Sequence, residues 1–434
     1  MRFANYSLPD ESPVPFVVCL VGLILFFSHL WASPLVAQDP SGADTAATTL
    51  TEALRSHRLP LQWEAGALRG AGGVWLREQA AMATVVTLGE SHATQEIPAV
   101  MTALIKDLQA ADAFDHLAIE VSPWTTDRIT ERLREGPAAY DAFIEQYPAA
   151  IPFYNLKPER DLLQQVVAHS DNDAPLWGLD QIFMFATSLA FDRLEALAPS
   201  AEARAAVREV RAAGKTKSAE DPRLQELPAR MPPPLSAYLP PAFDSLRSHF
   251  EGIGEAQRLL KELAISARIY RLNDTDNYRS NQIRARYLRD NLRRPALQAH
   301  ASSDDAPQIV IKVGGYHAFR GLTPNHALDV GNLAVALARM MGGEALNIVI
   351  GCGPGSKSTT FPTGTGDCYR LGESFAEALG DQPGLFDLTA IHPLLHDGTI
   401  AAEGRLEDFL WAYDAIVLIP NATPAEPITP PTGR

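Results

Sequence analysis

The sequence predicts an α/β fold: a mostly parallel central sheet flanked by helices, with a largely helical cap subdomain inserted into it. Three observations carry this prediction. Six short apolar runs recur along the chain, helix-patterned stretches separate them, and one long segment between runs breaks the alternation. Short continuous apolar runs are typical of strands buried on both faces. Strand–helix alternation produces a parallel sheet with helices on both sides.

Residues 14–37 (VPFVVCLVGLILFFSHLWASPLVA) are almost entirely apolar. Their terminal position reads as a signal peptide, with cleavage after Ala37, or as an uncleaved anchor long enough to span a bilayer. Both imply export to the periplasm or the cell exterior. The membrane is then a partner only through residues 1–37. Cys19 lies in this run, so Cys352 and Cys368 are left as a pair, and an oxidising compartment would join them in a disulfide.

The expected strands are residues 83–88, 116–121, 176–179, 308–313, 346–350 and 415–419. Helical patterns follow the first over 95–108 and the fourth over 327–341. Residues 38–124 and 292–420 thus form the expected core. Residues 125–291 hold several helices and one clear strand, and form the expected cap. Within them, 198–241 is rich in Ala and Arg and ends in two proline clusters. A long helix over about 244–291 is expected to lead back to the sheet. The proline-rich residues 421–434 are expected to be a disordered tail.

The 434 residues carry a net charge of -15, with 46% hydrophobic and 21% charged content. Such a chain builds a large core. Its acidity argues against nucleic acid as a partner and leaves a small molecule as the expected one.

Ionisable residues gather at the ends of the predicted strands. In residues 87–96 (TLGESHATQE), Glu90 and His92 follow the first strand directly. A carboxylate beside an imidazole orients it and supports its action as a general base on water. The alternative is a surface pair beside a helix start. Glu120 closes the second strand, where an unpaired charge is expensive, and Asp180 closes the third. In residues 314–321 (GGYHAFRG), two glycines admit close backbone approach, and Tyr316, His317 and Arg320 project from the same edge. His317 also fits a satisfied core histidine. In a parallel sheet these strand ends converge on one rim, which is where α/β folds bind ligands.

These segments resemble the erythromycin-esterase-like proteins and the wider group of haem-binding-uptake and Tiki-type proteins. The resemblance rests on Gly89-Glu90-Ser91-His92, Glu120, the turn from Gly314 to His317, residues 276–281 (DNYRSN) and the last strand, and spans roughly residues 75–420. It implies an α/β core, a helical subdomain and a cleft between them. By this resemblance His92 is the base, Glu90 its orienter, Glu120 a tuner of the site, and His317 the group that polarises the substrate or stabilises an oxyanion. Arg320, Tyr316, Asp180 and Asn281 are the expected substrate contacts. The chain departs from the esterase-like pattern in three places. Glu90-x-His92 replaces Glu-x-x-His, Gly314 stands where a histidine is common, and Met101 falls where an arginine is expected.

No cofactor is required by this reading, but two alternatives name one. Glu90, His92, Glu120 and His317 are acceptable ligands for a divalent metal in a metal-dependent hydrolase. His92, Tyr316 or His317 are candidate axial ligands in a haem-binding uptake protein without turnover. A serine hydrolase is a further rival, because residues 89–93 approach the G-x-S-x-G elbow around Ser91, with Asp180 and His317 following in order. Residues 351–356 (GCGPGS) read as a disulfide-pinned loop. His392 and His396 have zinc-like spacing, but Pro393 favours a loop and short turn. Tyr154, Phe183, Phe185 and Trp124 suggest either an apolar cleft or core packing.

Overall fold

The computed structural model describes residues 50–64, 66–221, 231–303, 305–360, 364–368 and 371–428. The N-terminal apolar run, with Cys19, lies outside the described residues. Eight strands form the main sheet: β1 (Arg58–Pro60), β2 (Val85–Glu90), β3 (His116–Ile119), β4 (Leu176–Gly178), β5 (Ile309–Gly314), β6 (Ala345–Cys352), β7 (Gly384–Asp387) and β8 (Ala415–Ile419). Their order is β1-β7-β8-β6-β2-β5-β3-β4. All six predicted strands are parallel to their neighbours among themselves. β1 and β7 add an antiparallel edge. The predicted α/β class, with its mostly parallel sheet, is the observed one.

Alternation along each strand sends side chains to two cores. Val86, Leu88, Leu117, Ile119 and Val310 face the core shared with the helices of residues 96–110 and of the middle region. Val85, Ala118, Ile309, Ile311 and Val313 face the other, shared with Leu288, Leu292 and the helix Val330–Met340. The register levels the carboxyl ends of β2, β5 and β3. Glu90 pairs with Gly314, and Ile119 pairs with both Lys312 and Gly178.

The helix expected over 244–291 is instead broken into pieces. A short helix (Pro240–Leu246) precedes α1 (Gly254–Thr275) and α2 (Asn277–Ala301). Gly252, at φ 78°, which favours glycine, turns the chain between the short 3-10 turn Arg247–Phe250 and α1. Asp276 caps α2 by accepting from the Arg279 N–H at 3.0 Å.

Two further departures concern the rim of the sheet. Lys357–Thr360 pairs antiparallel with Gly364–Asp367, and the Cys352–Cys368 disulfide flanks the pair. Residues 421–428, placed at the head of a disordered tail by composition, instead run as a strap. The N–H of Gln95 donates to Thr423, that of Ala425 to Ala93, that of Lys157 to Glu426 and that of Ile428 to Asn155. Backbone pairing decides this, which proline content conceals. Residues 429–434 lie outside the described residues. Among those described, no helix is long and apolar enough to cross a membrane.

Candidate active site

Glu90 is the last residue of β2, and His92 follows it after Ser91. The His92 Nδ1–H donates to Glu90 Oε1 at 2.7 Å. Phe153 stacks on the imidazole, with centroids 4.1 Å apart and planes 13° off parallel. These contacts fix the ring so that Nε2 lies 3.8 Å from Glu120 Oε2. Gly314 makes this arrangement possible, since a Cβ there would sit 2.9 Å from His92 Nε2. The histidine common at that position in the esterase-like pattern would collide with this ring.

Glu120 follows β3 directly and is held on three sides. The Gly314 N–H donates to Oε2 at 2.6 Å. Arg284, from α2, donates through Nη2 to Oε1 at 2.8 Å and forks onto Asp180 at 2.6 and 3.0 Å. His317 Nε2 lies 3.5 Å from Oε1. The other nitrogen of that ring, Nδ1, bonds Asp329 Oδ2 at 2.7 Å. Both imidazoles therefore follow one pattern: Nδ1 on a carboxylate of its own, Nε2 turned toward Glu120.

Beneath Glu90 lies a second buried cluster. Lys312, 1% exposed, donates to Glu90 Oε1 and, at 3.1 Å, to Glu159 Oε1. The Tyr154 ring covers its ammonium at 4.8 Å. Burial disfavours the lysine's charge, but Glu159 and Glu90 outweigh it and hold its pKa well above the usual value. Burial pushes the Glu90 carboxyl up, yet Lys312 and His92 bring the net shift down. Glu120 behaves alike: burial opposes its charge, and His317 and Arg284 hold it well below the carboxylate range. Burial wins at Glu159, raised to about 7 against the pull of Lys312. For His317, burial favours the neutral ring, but Asp329 and Glu120 outweigh it and Arg284, and lift the group to about 10. His317 is thus a cation at neutral pH.

The cluster forms the floor of a cleft of about 940 Å³. Glu90, His92, Glu120, Asp180, Asn281, Tyr316 and His317 all line it, as do Ser91 and Arg284. Arg320, expected as a substrate contact, does not. It turns the other way and pairs with Asp414 at 2.8 Å, ahead of β8. Phe183 and Phe185 belong to the cleft wall. Trp124 and Tyr154 are core residues, the first bonded to Glu255 and the second lying under Lys312. The serine triad is not assembled, because Asp180 is held by Arg284 and the carboxylate on His317 is Asp329. The His392 Nε2–H donates to Leu410 O at 2.9 Å and its ring stacks on Trp411, outside the cleft lining, within the short helix His392–His396.

Four site residues went unrecognised in the sequence: Lys312, Glu159, Arg284 and Asp329. Lys312 left the clearest signal, a lone charge inside the apolar run QIVIKV. Asp329 reads as the helix cap it also is, accepting from the Val330 N–H at 2.8 Å. Glu159 and Arg284 look like surface residues of charged helices.

The charges already present leave little room for a metal, or for a haem on either histidine. Among the described residues no group of three or more His, Cys, Asp or Glu side chains is placed to hold a metal ion. More telling, Lys312 already neutralises Glu90, and Arg284 already neutralises Glu120. A divalent ion would have to replace both cations. An iron on Nε2 of either histidine would enter the space of the Glu120 carboxylate, 3.8 and 3.5 Å away.

The sequence matches no family model and no curated protein. In three dimensions the chain is similar to a protein from Bacillus cereus, with a TM-score of 0.55 at 12% identity, over 88% of this chain and 98% of that one. A succinoglycan biosynthesis protein gives 0.55 at 14%, over 88% and 99%. An erythromycin esterase mutant in its open conformation gives 0.50 at 15%, over 80% and 93%. At such identities the likeness is one of fold, and this chain shares the α/β fold of that esterase.

Proposed function

We propose that this chain is an exported hydrolase that uses the Glu90–His92 pair to activate water against an ester or lactone carbonyl. One observation carries the reading: His92 gives its Nδ1–H to Glu90, which makes Nε2 the basic nitrogen, and Nε2 is directed to the same point as the charged ring of His317. A water at Nε2 would lose its proton to His92 while attacking the carbonyl carbon. His317, protonated at neutral pH, would meet the charge growing on the carbonyl oxygen. Asp329 and Glu120 keep His317 in that form. Arg284 fixes Glu120 between the rings and prevents it from acting as an unpaired buried anion.

The wall residues Phe153, Phe183 and Phe185 favour a substrate with a bulky apolar body. The esterase among the similar structures supports the reaction class, and the Cys352–Cys368 disulfide supports export. The test is a panel of esters, lactones and peptides assayed on wild type and His92→Ala, with metal content measured in parallel. Hydrolysis of an ester or lactone that survives chelation and falls by about 10²–10⁴ in His92→Ala is expected. Turnover of no panel member, or turnover indifferent to His92, would refute it.

A further inference from the structure

The lysine under the site has no part in the water-activation scheme, yet it is among the most buried charges in the chain. Lys312 and Glu90 are each 1% exposed at the side chain, as is Glu159. Three ionisable groups have been withdrawn from water directly behind the His92 imidazole. Lone ionised groups in such a place are costly, and a group without a counter-charge neutralises itself by gaining or losing a proton.

Proton counting shows what Lys312 does there. With the ammonium present, Glu90 is an anion whose charge is met by a fixed cation. The neutral His92 ring can then donate its single N–H, on Nδ1, to Glu90 Oε1. Without the ammonium, the buried Glu90–His92 pair would carry an unmet negative charge, and the pair would bind one proton from solvent. That proton has three arrangements: a carboxylate against an imidazolium, a carboxylic acid donating to Nδ1 of a neutral ring, or a carboxylic acid protonated on Glu90 Oε2 with Oε1 still accepting from Nδ1. The first two place a proton on Nε2, and the Glu120 carboxylate 3.8 Å from that nitrogen favours them. In both, the nitrogen that faces the cleft is no longer a base.

We propose that Lys312 is a positioning residue whose ammonium stands in for this proton and so keeps Nε2 of His92 unprotonated. The inference rests on the hydrolase reading for its purpose but not for its test. Glu159 orients the ammonium, bonding it at 3.0 and 3.1 Å from the helix Lys157–Ala168, while the Tyr154 ring closes the remaining side. The charged and titratable groups facing this cluster are Glu90, Glu159, His92, Tyr154 and Tyr140, with Glu120 3.8 Å from His92 Nε2 and Arg284 and His317 beyond it.

The experiment is nitrogen NMR of the full chain labelled with ¹⁵N-histidine, at neutral pH, with the His92 signals identified by their loss in His92→Gln. Wild type is expected to show a pyridine-type Nε2 and a pyrrole-type Nδ1. In Lys312→Met the Nε2 signal is expected to move to the protonated, pyrrole-type position. Lys312→Arg is expected to restore the wild-type pattern, and Glu159→Gln, which keeps the ammonium, is expected to retain it. The double variant Lys312→Met, Glu159→Gln leaves no lone charge behind and serves if Lys312→Met does not fold; it is expected to show the protonated Nε2. A pyridine-type Nε2 in either folded variant lacking the ammonium, or a protonated Nε2 in wild type, would overturn the proposal. Because the readout is a spectrum, its failure is separable from absence of hydrolysis by the wild type.

Discussion

At Gly314 one missing side chain decides where a ring can lie. The Cβ of an alanine would stand 2.9 Å from His92 Nε2 and 3.4 Å from Glu120 Oε2. Nothing there is flexible enough to yield, because Phe153 packs on the ring and Arg284 holds the carboxylate. Gly314→Ala is therefore expected to lower kcat by about 10²-fold, the usual cost of a misplaced catalytic group. Thermal denaturation should show the fold intact. Unchanged kcat would mean that the ring position is unimportant. Asp329 makes a second residue-scale prediction. Against burial, and with the help of Glu120, it raises His317 to about 10 from the ordinary 6.5, so the folded state holds that proton more tightly than the unfolded chain. The resulting stability is complete below about 6.5 and is lost as pH rises through about 10. Asp329→Asn should flatten this alkaline decline, measured as Tm against pH, while leaving the acid side governed by Glu90 and Glu120. Both of those carboxyls are shifted down, so their stabilisation is present above the ordinary carboxylate range and is lost on acidification.

Among the elements, the strand pair Lys357–Thr360 and Gly364–Asp367 and the strap of 421–428 build the rim that the strands of the main sheet alone do not supply. Thr359 joins them, its N–H donating to Ala93 O and its hydroxyl to Ala425 O. Ala93 adjoins His92 and sits at φ 66°, a conformation unfavourable for alanine, so the loop carrying His92 is held by these contacts. The disulfide closes a loop of sequence separation 16. A loop of that size is worth about 3 kcal/mol. Cys352→Ser with Cys368→Ser, or reduction of the wild type, should lower stability in denaturant by about that amount. An unchanged midpoint would show that the pair does not constrain the chain.

For the whole molecule, the sheet and the convergence of Glu90, Glu120, Asp180 and His317 were legible because strand periodicity and position in the run encode both. A buried strand forces its end residues to the rim, so a charge at that position is informative without knowledge of the tertiary structure. Partners supplied by helices were not legible. Arg284 and Glu159 occupy helices dense in charge, where a residue facing inward has the same spelling as one facing solvent. Arg320 shows the converse, since its proximity to His317 in sequence suggested the cleft, but the turn sends it to Asp414. The strap was concealed by its prolines, because its order comes from hydrogen bonds to residues over 260 positions away, such as Lys157 to Glu426. The claim that unites these scales is that the imidazole of His92 removes a proton from water. Chemical rescue addresses it most directly. With the best ester or lactone substrate, His92→Ala should be inactive alone and regain turnover, saturably, on addition of free imidazole to the emptied site. Wild-type turnover by His92→Ala without imidazole would contradict the account.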